Sequence, residues 1–275
     1  MNKLIRSVIE YTKPHSQLEK HYLADLMRWR SGESRDYQRF LVLASPRSGS
    51  SWLVDLLRDY AALCVYGEIF NPNRIFAHPT LQSSTSNKIL AARDLFPARF
   101  ARTYIFRGYK RETKAVGFKI FYNDLERFGM DRLWSYLMSE RRLKVIHLQR
   151  RNLLRALISE KIAQATGNWR GGQSKTIIML TQNECEAYFE KIMAYRKKYA
   201  DRLKGHDALE VHYEDLTEAV ADEMARALEF LGVDPIDLHS TVRKQEYRPM
   251  TRSVSNYVEL KSQMAGSGYG HFFVD

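Results

Sequence analysis

The sequence predicts a three-layer α/β fold in which a central, mainly parallel sheet of about five strands is flanked by helices. Two observations carry this expectation. Short apolar runs of strand length alternate with longer stretches of helical period from residue 38 onward. No internal repeat or linker interrupts that alternation, so residues 38–275 read as one domain and residues 1–37 as an N-terminal helical extension.

The extension is polar and amphipathic, with Leu23, Leu26, Met27 and Trp29 around one face. Residues 39–44 form a buried strand that ends in the turn Ser45-Pro46. A helix over 51–60 follows, with Trp52, Leu53, Leu56 and Leu57 on one side. Residues 61–66 read as a second strand broken by Gly67, and 71–83 as a loop of Asn, Pro and Ser. A helix and its exit occupy 87–106. The third strand is 115–121, with a helix through about residue 137. The fourth is 143–148, leading into a helix over 152–166 and a glycine-containing loop over 167–182. A long helix over 183–203, a fifth strand over 209–213 and a helix over 218–231 complete the pattern. Residues 234–275 read as irregular.

The formal charge of +11 in 275 residues points to an anionic partner, and nucleic acid, an acidic membrane surface and a phosphorylated nucleotide all fit it. Most basic residues are spread in pairs, as on solvated helix faces. Cys64 and Cys185 stand far apart without metal-type spacing, which fits buried thiols in a reducing compartment. The N-terminal residues never reach a signal-peptide run, and no stretch of about 18 apolar residues exists. These features predict a soluble, cytoplasmic protein.

In a parallel sheet, ligands bind beyond the carboxyl ends of the strands. The first such end is Ala44-Ser45-Pro46-Arg47-Ser48-Gly49-Ser50-Ser51-Trp52. Set against the triphosphate loop G-x-x-x-x-G-K-[ST], Gly49 and Ser51 keep their places. Ala44 stands in for the first glycine and Ser50 for the lysine. What remains is a P-loop-like anion cradle: a strand, a run of N–H groups and a helix N-terminus. Without the lysine it suits a phosphosulfate better than Mg-ATP. Arg47 and the hydroxyls of Ser48, Ser50 and Ser51 supply donors. As an ordinary helix cap, the same serines would need no ligand.

Pro46 through Leu53 resembles the 5′-phosphosulfate loop of sulfotransferases that use 3′-phosphoadenylyl sulfate (PAPS). The likeness is greatest to the bacterial Stf0-like and NodH-like carbohydrate sulfotransferases. Gln149-Arg150-Arg151 and Ser159 extend it, because the family holds the 3′-phosphate with an arginine and a serine at this separation. The resemblance therefore implies that Pro46, Arg47, Ser48, Gly49, Ser50, Ser51, Trp52, Arg151 and Ser159 bind PAPS, with Arg150 and Arg155 as neighbours. It spans roughly residues 38–262, taking in Cys185 to Phe189 and the stretches 243–251 and 254–260. Within that last region it points to Arg248 and Arg252 as contacts to the adenosine or its 3′-phosphate.

Sulfuryl transfer needs a base for the acceptor hydroxyl, positive groups around the transferring sulfuryl and in-line geometry. The resemblance implies Glu68 as the base, in Tyr66-Gly67-Glu68-Ile69-Phe70. Lys119 is a charge in a buried-strand pattern, so it either reaches phosphosulfate or acceptor, or pairs with an acid such as Glu68. Arg47 supplies the charge that a lysine provides in related loops. His147 and His212 read as core groups, and Tyr213-Glu214-Asp215-Leu216 as mainly structural. No metal is required and no metal-ligand cluster is visible. The expected acceptor is a hydroxyl of a carbohydrate or glycolipid; Tyr66, Phe70, Phe76 and Tyr122 fit either stacking surfaces for its rings or the core equally well. The resemblance also implies a homodimer. The basic surface and the N-terminal amphipathic segment allow peripheral contact with the inner face of a membrane. A P-loop kinase or NTPase is the alternative, opposed by Ser50 and by the lack of an acidic metal ligand after an apolar strand. A nucleic-acid binder is not expected, since no recognition module is present.

Overall fold

The computed structural model describes residues 33–75, 87–169, 175–234 and 248–274. Most of the expected N-terminal extension, Phe76 and the stretch 243–247 lie outside these residues.

The main sheet is five-stranded and parallel throughout, in the order β3-β5-β2-β6-β7. Its strands are β2 (Gln38–Ala44), β3 (Leu63–Glu68), β5 (Ala115–Phe121), β6 (Lys144–Gln149) and β7 (Ala208–His212). Two-residue strands β1 (Glu33–Ser34) and β4 (Tyr109–Lys110) pair antiparallel apart from it, a ribbon too short to show as a pattern in sequence. Glu33–Ser34 is thus a strand where the sequence predicted helix.

β2 occupies the centre because it is apolar on both faces: Phe40 to Ala44 are all fully buried. Leu41 and Leu43 face one side with Val116, Phe118, Ile120 and Val145. Phe40, Val42 and Ala44 face the other with Val65, Ile146 and Leu148. The first face is covered by α5 (Met130–Ser139), by a π-helical turn over Ala101–Ile105 and by Tyr199 of α7 (Gln182–Arg202). The second is covered by α1 (Ser50–Arg58) and α9 (Val220–Leu231). The chain builds β3 and β5 on one side of β2, then crosses to the other for β6 and β7. That reversal opens a crevice at the carboxyl end of β2.

Helix boundaries follow local chemistry. The helix expected over 87–106 breaks at Phe96, where Pro97 takes the first position of a new helix. It becomes α2 (Asn87–Leu95), α3 (Pro97–Phe100) and the π turn. After β5, α4 (Tyr122–Leu125) and α5 are separated by Gly129 at φ 82°. Past β7 the chain turns at once into α8 (Tyr213–Glu218), before α9.

The segment expected to be irregular over 234–275 is corrected by α10 (Met250–Ser253), α11 (Tyr257–Met264) and a 3₁₀ turn at Gly270–Phe272. Met250, Val254, Tyr257, Leu260 and Met264 pack with Leu153, Leu154, Leu157 and Ile158 of α6 (Leu153–Thr166). This third apolar cluster gives the short helices the stability their own length does not supply. Among the described residues, no helix is long and apolar enough to cross a membrane. Both cysteines are free, Cys185 buried and Cys64 partly so.

Gly117 of β5 faces Phe40 of β2, and a Cβ there would stand 2.6 Å from the Phe40 ring. That ring is fully buried and has no room to retreat. Gly117→Ala is therefore expected to lower stability by about 1–3 kcal/mol in urea unfolding, through overpacking.

Candidate active site

The cradle forms where β2 ends at Ala44 and the chain turns over residues 45–49 into α1. Ser45 and Ser48 are buried, and the Ser48 hydroxyl donates to the Ser45 carbonyl at 2.7 Å, closing the turn. Two residues take positive φ, Arg47 at 58° and Gly49 at 87°. Gly49 caps α1 without any side-chain hydrogen bond, so the first N–H groups of the helix are left to a ligand. A Cβ on Gly49 would lie 2.1 Å from Cδ2 of Tyr213. The backbone here can only be glycine, on grounds of both conformation and space.

Arg47 at positive φ is uncommon for a residue with a side chain. Its carbonyl accepts a hydrogen bond from Nη1 of Arg150 at 3.1 Å. The Arg150 guanidinium is buried and lies over the Tyr213 ring, 4.8 Å from its centroid. The Arg47 side chain donates from Nε to Ser159 Oγ at 2.9 Å and from Nη1 to the Trp169 carbonyl at 2.7 Å. Burial, then the charge of Arg150, pulls the Arg47 pKa below its ordinary value. Two guanidiniums held together out of water favour an incoming anion.

The second half of the site lies across β3 and β5. The register between these strands shifts between Tyr66 and Glu68, which sets Glu68 opposite Lys119. Lys119 Nζ lies 3.0 Å from Glu68 Oε1 and donates to Ser51 Oγ at 2.9 Å. Buried Lys119 is thus paired with an acid, and it also touches the cradle. Burial lowers its pKa, with the Glu68 carboxylate opposing. Glu68 Oε2 accepts from Asn71 Nδ2 at 2.9 Å. The loop after Glu68 is pinned by Arg93, which has no exposed surface and donates to the carbonyls of Ile69 and Asn71 at 2.9 and 2.7 Å. Asp94 holds both Arg93 and Arg127, and Arg127 donates to the Phe70 carbonyl at 3.0 Å.

The structure thus brings Arg47, Ser48, Gly49, Ser51, Glu68, Lys119 and Ser159 to one edge of the sheet. Half-buried Pro46, buried Ser50 and Trp52, edge-on to Tyr213, complete the turn. Arg151 is arranged differently. It is half exposed, and its Nη1 and Nη2 donate to the two Asp215 carboxylate oxygens at 2.5 and 2.6 Å. Arg252 is exposed on α10 and Arg248 half buried just before it, at the end of the chain packed on α6. Tyr66, Phe70 and Tyr122 are fully buried core residues, which decides for the core between the two readings the sequence left open.

Sequence reasoning missed Arg93 and Asn71, while the reading of Tyr213-Glu214-Asp215 as mainly structural agrees with the contacts of that segment. The Tyr213 ring seals Gly49, Glu214 accepts the backbone N–H groups of Arg151 and Asn152, and Asp215 holds the Arg151 side chain. Arg93 looked like any basic residue on an amphipathic helix, and no local signal marks it. The reading of His147 as a core group agrees with its burial: the Tyr122 hydroxyl lies 2.5 Å from its Nε2.

The sequence pattern of the Sulfotransferase family matches residues 39–237, more than half of the chain, and the chain belongs to that family. It is a sulfuryl-transferring enzyme, and the kinase alternative is set aside. Among curated relatives it is similar to Nodulation protein H of Rhizobium tropici, 29% identical over 240 residues, covering 85% of this chain and 92% of that protein. It is also similar to Nodulation protein H of Rhizobium meliloti (strain 1021), 29% identical over 243 residues and covering 86% and 95%. Among solved structures, a sulfotransferase from Alicyclobacillus acidocaldarius aligns with a TM-score of 0.48 at 15% identity, covering 82% of this chain and 90% of that one.

Burial pushes the His147 pKa down from 6.5 to about 4, with the charges of Arg196 and His212 acting in the same direction. The folded state thus refuses a proton that the unfolded chain accepts. Stability is fully present above the unfolded value and falls as pH drops through this window, by up to about 3 kcal/mol. His147→Gln removes this contribution. Urea unfolding at about pH 7 and about pH 4 should show a smaller loss in the variant than in the wild type.

Proposed function

We propose that the enzyme takes its sulfuryl group from PAPS and passes it to a hydroxyl of a carbohydrate or glycolipid. The observation that carries this reading is the contact chain Ser51–Lys119–Glu68, buried at its central ammonium, which joins an uncapped helix N-terminus to a carboxylate. The α1 N–H groups, the serine hydroxyls and Arg47 cradle the 5′-phosphosulfate. Glu68 accepts the proton of the acceptor hydroxyl as its oxygen bonds to sulfur. The bond from sulfur to the phosphate oxygen breaks in line, and adenosine 3′,5′-bisphosphate leaves. Lys119 and Arg47 offset the charge that grows on the departing phosphate.

For the 3′-phosphate, Ser159 already touches Arg47, and Arg151 exchanges Asp215 for the phosphate oxygens. Arg248 and Arg252 stand on the segment packed against α6 and approach the adenosine side. The catalytic domain spans residues 38–275, and two free cysteines suit a cytoplasmic enzyme. The carbohydrate class of the acceptor is supported by the motif likeness to NodH-like carbohydrate sulfotransferases.

Calorimetric titration tests the donor site. Adenosine 3′,5′-bisphosphate should bind more tightly than AMP, and Arg47→Ala and Arg151→Ala should each weaken it by at least about tenfold. Glu68→Gln should bind it as the wild type does while losing about a hundredfold or more in turnover. Binding of Mg-ATP without binding of the bisphosphate would overturn the reading.

A further inference from the structure

Three apolar side chains stand out in water at one corner of the molecule. Phe128 is 104% exposed, Phe96 49% and Leu95 41%. They come from two separate turns, Leu95-Phe96 between α2 and α3, and Phe128 between α4 and α5. Arg127, on one side of Phe128, pairs with Asp94 at 2.8 Å. Gly129, on the other, has its Cβ direction 3.8 Å from the Asp94 carbonyl. Both neighbours of Phe128 thus meet the residue before Leu95, and Phe128 leaves the surface beside Leu95 and Phe96.

This corner is held rigidly. Asp94 is gripped by the fully buried Arg93 as well as by Arg127, and the same two arginines hold the carbonyls of Ile69, Phe70 and Asn71. The two turns that carry the rings are therefore tied to one another and to the loop after β3. Leaving two phenylalanines and a leucine in water is costly unless something covers them.

The charges around the corner narrow what that is. Arg99 and Arg132 are exposed one helical turn beyond Phe96 and Phe128. Of the nearby acids, Asp94 is paired with two arginines, Glu126 with Lys198 at 2.7 Å, and buried Asp124 accepts the Phe121 backbone N–H at 3.2 Å, which leaves exposed Asp131 against them. Insertable apolar side chains ringed by arginine make the two-signal arrangement that holds a protein on an anionic bilayer, where either signal alone is marginal. We propose that this corner docks the protein on an anionic phospholipid surface, Phe128 and Phe96 entering the headgroup layer and Arg99 and Arg132 meeting the phosphates.

The proposal stands apart from the reading of the donor site, and its test needs no nucleotide. The full chain is floated on a density gradient with vesicles of phosphatidylethanolamine and phosphatidylglycerol, and with vesicles of phosphatidylcholine alone. The wild type should rise with the anionic vesicles, less so at high salt, and stay down with the neutral ones. Phe96→Ser with Phe128→Ser should cut the floated fraction at least about tenfold. Arg99→Glu with Arg132→Glu should abolish the preference for anionic lipid. These side chains are exposed, so the variants should melt with the wild type. A wild type that stays down, or a double serine variant that floats as well as the wild type, overturns the proposal. So does a concentration-dependent dimer, seen by light scattering, that the serine variant abolishes while vesicle binding stays weak: the corner would then join two copies of this chain.

Discussion

A lysine buried in a parallel strand must find a carboxylate, and in this molecule that requirement organises the reactive edge. Lys119 is almost wholly enclosed, and Glu68 reaches it only because the register of β3 shifts by a residue at Gly67. The lysine also holds Ser51 at the start of α1, so three elements are tied at one ammonium. Removing the Glu68 carboxylate would leave the buried ammonium without its counter-charge, at a cost of about 3–5 kcal/mol. Glu68 is further held by Asn71, whose own backbone is fixed by Arg93. A carboxylate restrained on both oxygens keeps one orientation, as a base acting on an incoming hydroxyl requires.

The cradle depends on a different device. Its backbone takes an unusual conformation at Arg47, and Arg150 secures it from behind through the Arg47 carbonyl. Arg196 in turn donates to the Arg150 carbonyl at 2.5 Å. Burial lowers the pKa values of Arg47 and Arg196 alike. Positive charge is concentrated here at some expense to the protein alone. An anion in the cradle recovers that expense, which is a direct way to couple tight donor binding to a rigid loop.

How far this was legible follows from the range of each signal. The five parallel strands and the loop after the first showed in sequence because each is a local pattern of apolar runs and turn residues. Gly49 and Ser51 stood out for the same reason. The pairing of Lys119 was open to two readings, since a buried charge announces a need without naming what meets it. Arg93 left no trace, because its role comes from long-range packing; Asp215 was read only as part of a structural run, without its partner. The helices α10 and α11 were hidden by their shortness: they exist through burial on α6 rather than through helical propensity. Tyr66, Phe70 and Tyr122 were open in the same way as Lys119: an aromatic residue near a strand end suits a sugar ring or a core, and burial decides for the core.

The central place of β2 bears on how the chain reaches this structure. It is the first strand of the large sheet to emerge in synthesis, yet its neighbours β5 and β6 lie far along the sequence. Both of its edges stay unsatisfied until much of the chain has been made, so high contact order and slow assembly are built into the topology. A strand whose residues 40–44 are all fully buried is thus the one that waits longest for its partners. Aggregation during biogenesis therefore threatens this strand before any other, and holdase chaperones that bind extended apolar segments would find their natural target in residues 38–44.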